Sequence, residues 1–113
     1  MQAKLSKRVN ELLVLAVLKK GPAHGYQVAL SVDEDTNGAF TFQHGTLYPI
    51  LHRLESEGRV RGEWDEGSGR AGRRRKTYLI TDAGRAFLDE DASHLEQEFE
   101  ALFSLLRGAA NAA

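Results

Sequence analysis

The sequence predicts a mainly α fold with a two-stranded β-wing, followed by one long C-terminal helix. An apolar stripe at helical spacing occupies residues 47–54. Two short alternating segments, 60–65 and 76–81, then flank a loop rich in glycine and arginine. From residue 82 onward, apolar residues recur with the alternating spacing of four and three that is typical of a heptad repeat. A helix with one polar face, followed directly by a basic hairpin, is the arrangement of a winged helix-turn-helix.

The composition indicates one small domain in a reducing compartment. The chain has 113 residues, of which 42% are apolar, and it contains no cysteine. Disulfides and thiolate metal sites are therefore excluded. The longest apolar run, residues 12–18, is too short to cross a bilayer, and the N-terminus carries no signal-peptide cleavage pattern. We therefore expect a cytoplasmic protein with no membrane partner.

The first two helices are predicted from apolar runs and turn-forming residues. The run 12–18 is closed by two lysines and a Gly-Pro pair, which fits a buried helix that stops at Gly21. A buried strand is the alternative for this run, because short apolar runs fit both. A second helix is predicted between residue 24 and the turn-forming residues 36–38. Its core-facing stripe is expected at positions spaced i, i+3, i+4: Tyr26, Ala29 and Leu30.

The third helix carries the most informative pattern. Its inward stripe consists of Leu47, Ile50, Leu51 and Leu54. Pro49 lacks a backbone donor and belongs near the first turn, so the helix should begin at residues 43–46. A major groove about 12 Å wide admits one helix and distinguishes bases by hydrogen bonds and methyl contact. The side chains that could make such contacts are Gln43, His44, Thr46, Tyr48, Pro49, His52 and Arg53. Because a solvated face is usually richer in Lys and Glu, we favour DNA recognition over an ordinary exposed face.

The hairpin concentrates positive charge. The formal net charge is −1, but residues 59–78 hold seven basic side chains against three acidic ones, whereas 82–100 hold seven carboxylates against one arginine. Exposed charges act over roughly 8–10 Å at physiological salt, so the local balance decides contact with a polyanion. The side chains expected to contact phosphates or the minor groove are Arg70, Arg73, Arg74 and Lys76. Eight such contacts in a dimer would give a log–log salt slope of about −7.

The last helix is predicted to extend from Asp82 to about residue 108, with Thr81 as its hydroxyl cap. Six apolar residues lie on one edge, and we call them the heptad seam: Leu88, Ala92, Leu95, Phe99, Leu102 and Leu106. At 1.5 Å per residue the helix is about 39 Å long, more than a domain of this size can cover. We therefore expect residues 1–81 to form the winged helix-turn-helix domain, 82–108 a homodimerisation helix and 109–113 a disordered tail.

No catalytic or metal chemistry is expected, and no cofactor. The sequence shows no pairing of a nucleophile with a base, so we do not expect an enzyme. His44 and His52 are eight residues apart, which places them about 80° apart around a helix and two turns apart along it. That is poor geometry for binding one metal ion.

Three segments resemble the PadR family of bacterial transcriptional regulators: LLVLAVLKKGPAHGYQVA, FTFQHGTLYPILHRLESEG and GRRRKTYLITDAG. The resemblance covers about residues 12–88, and the run GTLYPxLxRLExxG, at 45–58, is its more specific part. It implies a homodimer with a recognition helix that starts near Gly45 and a wing over 60–80. It also implies a repressor, working at the nucleoid, that is relieved by a small ligand. Two-fold symmetry then predicts a pseudo-palindromic operator in double-stranded DNA.

The chain departs from this pattern in its aromatic residues. Some relatives bind flat aromatic ligands at the dimer interface through a tryptophan of the last helix, but the only tryptophan here is Trp64 in the wing. Phe99 and Phe103 could line an equivalent space for a small aromatic effector, although we favour a structural role for both. The alternative function is a winged-helix protein-interaction module whose acidic last helix is the working surface.

Overall fold

The computed structural model describes residues 3–65 and 75–112. Within these residues the chain forms four helices and three strands, in the order α1 (Ala3–Lys20), β1 (Ala23–His24), α2 (Gly25–Asp35), α3 (His44–Ser56), β2 (Val60–Trp64), β3 (Lys76–Ile80) and α4 (Asp82–Asn111). The predicted mainly α fold with a β-wing and a long C-terminal helix is confirmed. The alternative of a strand at residues 12–18 is wrong, because these residues lie inside α1. No helix of the described residues combines the length and apolarity needed to cross a membrane.

The core lies where α1 and α3 cross beneath the sheet. Leu15, Leu51 and Leu54 are each 0% exposed, and α2 adds Val28 and Val32 to the same cluster. Burial of an aliphatic side chain of this kind stabilises a fold by about 1.5–3 kcal/mol. The four residues of the inward stripe predicted for α3 are all buried. The heart of the domain therefore matches the sequence pattern.

The sheet contains one strand that the sequence did not indicate. Its order is β1-β3-β2, and both pairs are antiparallel. β1 has only two residues, which is too few to show the alternation of apolar and polar residues that marks a strand. It pairs with β3 through Ala23–Tyr78 and His24–Thr77. The start of α2 is thus attached directly to the wing.

A side-chain cluster reinforces this attachment. Nε2 of His24 lies 2.7 Å from Oδ2 of Asp65, and the Thr77 hydroxyl donates to Oδ1 of Asp65 at 2.7 Å. The hydrogen bond from His24, followed by that from Thr77, lowers the pKa of Asp65 below its usual 3.8. The segment before α2 is therefore fixed to the base of the wing through β3 and through Asp65 at the end of β2.

The stripe predicted for α2 is wrong at Tyr26 and Leu30, whereas Ala29 packs partly against the core as predicted. Tyr26 is 47% exposed and Leu30 is 54% exposed, whereas Gly25, Val28 and Val32 face the core. The helix is rotated from the expected orientation because β1 fixes its first residue and Gly25 admits the ring of Tyr48. An apolar surface consequently remains on the outside of α2.

At the start of α4, the backbone at Gly84 lies in close contact with the backbone at Arg59. The Thr81 hydroxyl accepts a hydrogen bond from the Gly84 amide at 3.0 Å, as predicted for the cap, and it donates to the Gly58 carbonyl at 2.7 Å. A Cβ atom at Gly84 would overlap the carbonyl oxygen of Arg59. Glycine is therefore required where α4 leaves the wing.

The C-terminal part of α4 extends beyond the rest of the protomer. It has 30 residues, which correspond to about 45 Å at 1.5 Å per residue. The radius of gyration is 16.7 Å, compared with about 13 Å for a compact chain of this length. The helix continues through Gly108 to Asn111, so the prediction of a disordered tail is wrong for residues 109–111. Residue 113 lies outside the described residues.

Candidate nucleic-acid interface

The outer face of α3 carries most of the polar and aromatic side chains that the sequence predicts for DNA recognition. Five of the predicted residues are exposed on it, and we call them the outer face of α3: Gln43, Thr46, Tyr48, Pro49 and His52. The helix begins at His44, inside the predicted range, with Gln43 as its N-cap. The side chain of His44 lies outside what the structure describes. The buried stripe of α3 anchors this face, so its side chains project from a rigid element.

The N-terminal end of α3 suits an anion. Its first turn contains no acidic residue, and the Gln43 side chain makes no capping hydrogen bond. Exposed amides at a helix N-terminus carry partial positive charge and attract phosphate. Pro49 is the sixth residue of the helix, in the second turn rather than near the first, and it leaves the Gly45 carbonyl without its usual donor. The amide of Gln43 and this carbonyl are both available to hydrogen-bond a ligand.

Tyr48 is held in place by its neighbours. A Cβ atom on Gly25 would come within 2.8 Å of the Tyr48 ring, so the ring lies against the bare backbone where α2 begins. The side chain nevertheless remains 45% exposed. One face of the ring is packed and the other is free, which suits an apolar contact with a thymine methyl or a sugar.

The side chain of Arg53 is partly exposed and partly buried. Its Nη2 lies 3.8 Å from Oε1 of Glu11, a carboxylate that is otherwise buried. Its Nε is buried and has no hydrogen-bond partner among the described residues. Glu11 also faces Arg59 at 3.9 Å, so it couples α1 to both ends of this region. Arg53 therefore positions α3 as well as flanking its outer face.

The wing differs from expectation at Lys76. Arg70, Arg73 and Arg74 lie outside the described residues. Lys76 lies on the inner face of β3, where its Nζ is 2.9 Å from Oε1 of Glu55 and 5.2 Å from the centre of the Trp64 ring. Its charge is thus directed toward α3 and partly neutralised, not presented outward to a phosphate.

The structure adds residues that the sequence did not single out. Lys7 and Asn10 of α1 border a surface depression of about 430 Å³ together with Thr46, Pro49 and Arg53. On the opposite side, Tyr26 and Arg75 border a second one of about 370 Å³ beside Tyr48. Lys7, Tyr26 and Arg75 are exposed. The sequence pattern places Tyr26 in the core and Arg75 in the basic run of the wing, and only the packing of α1, α2 and the wing around α3 brings these residues to the same surface.

These elements define a winged helix-turn-helix whose third helix presents a readable face beside a wing. The model of the transcriptional regulator PadR-like family matches residues 14–90. The chain therefore belongs to this family.

Relatives in other organisms agree with this assignment. A transcriptional regulator of Mycobacterium tuberculosis is 40% identical over 77 residues, covering 59% of this chain and 69% of that protein. The crystal structure of a PadR family transcription regulator from Clostridium difficile superposes with a TM-score of 0.73 at 27% identity, covering 86% of this chain and 97% of that one. Bacillus subtilis PadR, in complex with operator DNA, gives a TM-score of 0.66 at 26% identity, covering 74% of this chain and 45% of that chain.

Proposed function

We propose that the protein is a homodimeric, sequence-specific DNA-binding repressor that releases its operator when it binds a small ligand. The proposal rests on the contrast between the two faces of α3. Its inward stripe is buried, whereas its outer face exposes amide, hydroxyl, imidazole and aromatic groups to solvent. A helix of this kind can enter the major groove and distinguish base pairs. The solved complex of Bacillus subtilis PadR with operator DNA supports the same use of the fold.

Phosphate contacts would come from both sides of the recognition helix. Lys7 of α1 and Arg75 at the start of β3 flank the outer face of α3, and the wing arginines 70, 73 and 74 would follow the adjacent backbone. Lys76 is paired with Glu55, but Arg75 is exposed, so the wing still offers four cations in each protomer: Arg70, Arg73, Arg74 and Arg75. The wing alone then contributes a log–log salt slope of about −7.

The dimer would form through the distal half of α4, residues 97–111. Leu102 is 44% exposed, Leu106 is 54% exposed and Leu105 is 71% exposed, and all three lie beyond Glu98, which pairs with Arg8 of α1. Leu88 is 7% exposed and belongs to the core of its own protomer, so it cannot be a dimer contact. Ala92 and Leu95 also pack partly against that core. The predicted heptad seam is therefore divided between the protomer and its partner.

The effector would bind where the distal halves meet. The rings of Phe99 and Phe103 are stacked, with centroids 5.9 Å apart and planes inclined by 27°. A flat aromatic molecule between paired helices would contact these rings and change the spacing of the two recognition helices. The site of action is the nucleoid, since that is where the operator is.

The interaction-module alternative finds less support. Asp89, Asp91 and Glu98 of α4 form ion pairs with basic residues of α1. These three of the seven carboxylates of residues 82–100 are therefore engaged within the protomer, which reduces the acidic surface left for a partner.

Fluorescence anisotropy of the protein with the duplex upstream of its own gene tests the function, with a scrambled duplex as the control. We expect tighter binding to the native duplex, and loss of about 1–3 kcal/mol of that preference in the variants Gln43→Ala and His52→Ala. Gln97→Ala, an exposed change on the outside of α4, should leave both affinities unaltered. Equal, strongly salt-dependent binding to both duplexes would place the operator elsewhere. Binding to neither duplex would overturn the proposal.

A further inference from the structure

An apolar groove separates α2 from the N-terminal end of α3. Its volume is about 470 Å³, within the range of about 300–1,000 Å³ that is usual for small-molecule sites. We call it the α2–α3 groove; its lining is Tyr26, Ala29, Leu30, Asp33, Thr41, Phe42, Gln43, Leu47 and Tyr48. It exists because α2 turns Tyr26 and Leu30 outward instead of into the core. It is remote from the distal half of α4, where the proposed effector of the dimer interface would bind.

The lining combines three aromatic rings with a single charge. Tyr26 and Tyr48 are each about half exposed, and Phe42 packs partly against the core. Asp33 is the only ionisable carboxylate of the lining. Its side chain makes no hydrogen bond or ion pair within the part of the chain that the structure describes, whereas Asp35 of the same helix is paired with Lys20. An unpaired carboxylate beside aromatic faces attracts a cation from two sources at once.

We propose that the α2–α3 groove binds a small organic cation with an apolar body, an amine or quaternary ammonium compound. The charged nitrogen lies beside Asp33 and over the tyrosine rings, and the apolar body lies on Ala29, Leu30 and Leu47. The faces of aromatic rings carry negative potential and stabilise an ammonium group. A carboxylate ligand beside the tyrosine rings would be repelled by Asp33. The charge of the groove therefore selects against anions.

Occupancy of the groove affects the DNA interface. Gln43 and Tyr48 line the groove and also belong to the outer face of α3. A ligand that holds either side chain competes with its contact to a base. Coupling between two sites is reciprocal, so DNA would weaken cation binding by the same factor. This coupling rests on the proposed function, whereas binding of the cation itself does not.

Benzyltrimethylammonium chloride is the probe, titrated into the free protein and followed by two-dimensional amide NMR. For a ligand of its size we expect a dissociation constant on the order of 1 mM, with saturable shifts at Ala29, Asp33 and Thr41. Phenylacetate, of similar size and opposite charge, should produce no saturable shift there. Shifts confined to α4, or none at concentrations up to about 10 mM, would overturn the proposal.

Two matched pairs of variants test the chemistry. Asp33→Asn should weaken binding about threefold, the effect of one exposed charge pair, while Glu34→Gln on the same helix should not. Tyr26→Leu should weaken it about fivefold, whereas Phe40→Leu, at an exposed ring outside the lining, should leave it unchanged. Equal affinity in Asp33→Asn and wild type would contradict the role of the carboxylate.

A final titration separates this proposal from the proposed function. If DNA and cation exclude each other in each protomer, cation at ten times its dissociation constant should reduce the affinity for DNA about 11-fold per groove, or about 120-fold for a dimer with two grooves. Saturable NMR binding without any effect on DNA would retain the site and overturn the coupling. A protein that binds no DNA but still binds the cation would contradict the proposed function alone.

Discussion

The two halves of α4 have the same apolar spacing and opposite surroundings. In the proximal half, Leu88 is 7% exposed and packs into the core, with Ala92 and Leu95 partly buried beside it. In the distal half, Leu102 is 44% exposed and Leu106 is 54% exposed. A heptad pattern thus specifies an apolar edge along a helix, but it does not specify which surface covers that edge.

Ion pairs mark the boundary between the halves. Arg8 of α1 donates to Asp91 at 2.9 Å and to Glu98 at 2.7 Å, and Lys19 pairs with Asp89 at 3.1 Å. The hydrogen bond to Asp91, followed by that to Glu98, raises the pKa of Arg8 above its ordinary value. Glu98 is the most distal of these partners on α4. Beyond it, the apolar residues Leu102, Leu105 and Leu106 are exposed, and the proposed dimer would cover them.

The strongest test of the proximal half is Gly84→Ala. Because the new methyl group would overlap the backbone of Arg59, the start of α4 must move away from the wing. We expect the free energy of unfolding to fall by about 3 kcal/mol or more. Urea denaturation at low protein concentration measures this.

Gly108→Ala is the matched control in the distal half. Nothing lies within 4 Å of a Cβ at this position, and the residue is helical. The free energy of unfolding should rise by about 0.5–1 kcal/mol, because alanine favours the helix. A loss at residue 108 as large as that at residue 84 would show that the whole of α4 packs on its own protomer.

The second comparison makes the same change in both halves. Leu88→Ala should lower the stability of the protomer by about 2–3 kcal/mol at any protein concentration, since it leaves a cavity in the core. Leu106→Ala should leave the protomer unaffected and weaken the dimer by about 2 kcal/mol, a factor of about 30 in Kd. Denaturation and sedimentation at several concentrations separate the two effects. If Leu106→Ala and wild type dissociate equally, the distal half does not form the interface.

This division also shows what the sequence could predict. The inward stripe and the start of α3 could be predicted because four apolar residues cover almost the whole of one helix face. The stripe of α2 was misplaced, because Tyr26 and Leu30 are apolar but exposed, and β1 and Gly25 decide how that helix is oriented. Neither a two-residue strand nor a close contact between two backbone segments produces a periodic pattern in the sequence.

The candidate site was predictable to the extent that it lies on one element. The outer face of α3 follows from helical geometry, and it is exposed as expected. Lys7 and Arg75 reach the same surface from α1 and from β3, so their positions depend on the tertiary packing. Lys76 was expected to face outward as part of a basic run, but it pairs with Glu55, 21 residues away in sequence. Composition gives the charge of a segment without the direction of each side chain.

The smallest expected effect concerns the ion pairs that hold the proximal half. Arg8 and Asp91 are partly exposed, with 27% and 20% of their side-chain surfaces accessible. A pair in this setting contributes about 0.5–1 kcal/mol. A double-mutant cycle with Arg8→Gln and Asp91→Asn should therefore give a coupling energy of that size, and 1 M salt should reduce it. Lys7→Gln removes the neighbouring charge, which has no ion pair among the described residues, and should change stability by less than about 0.5 kcal/mol. A coupling energy of zero would mean that the Arg8–Asp91 pair does not help to keep the proximal half on α1.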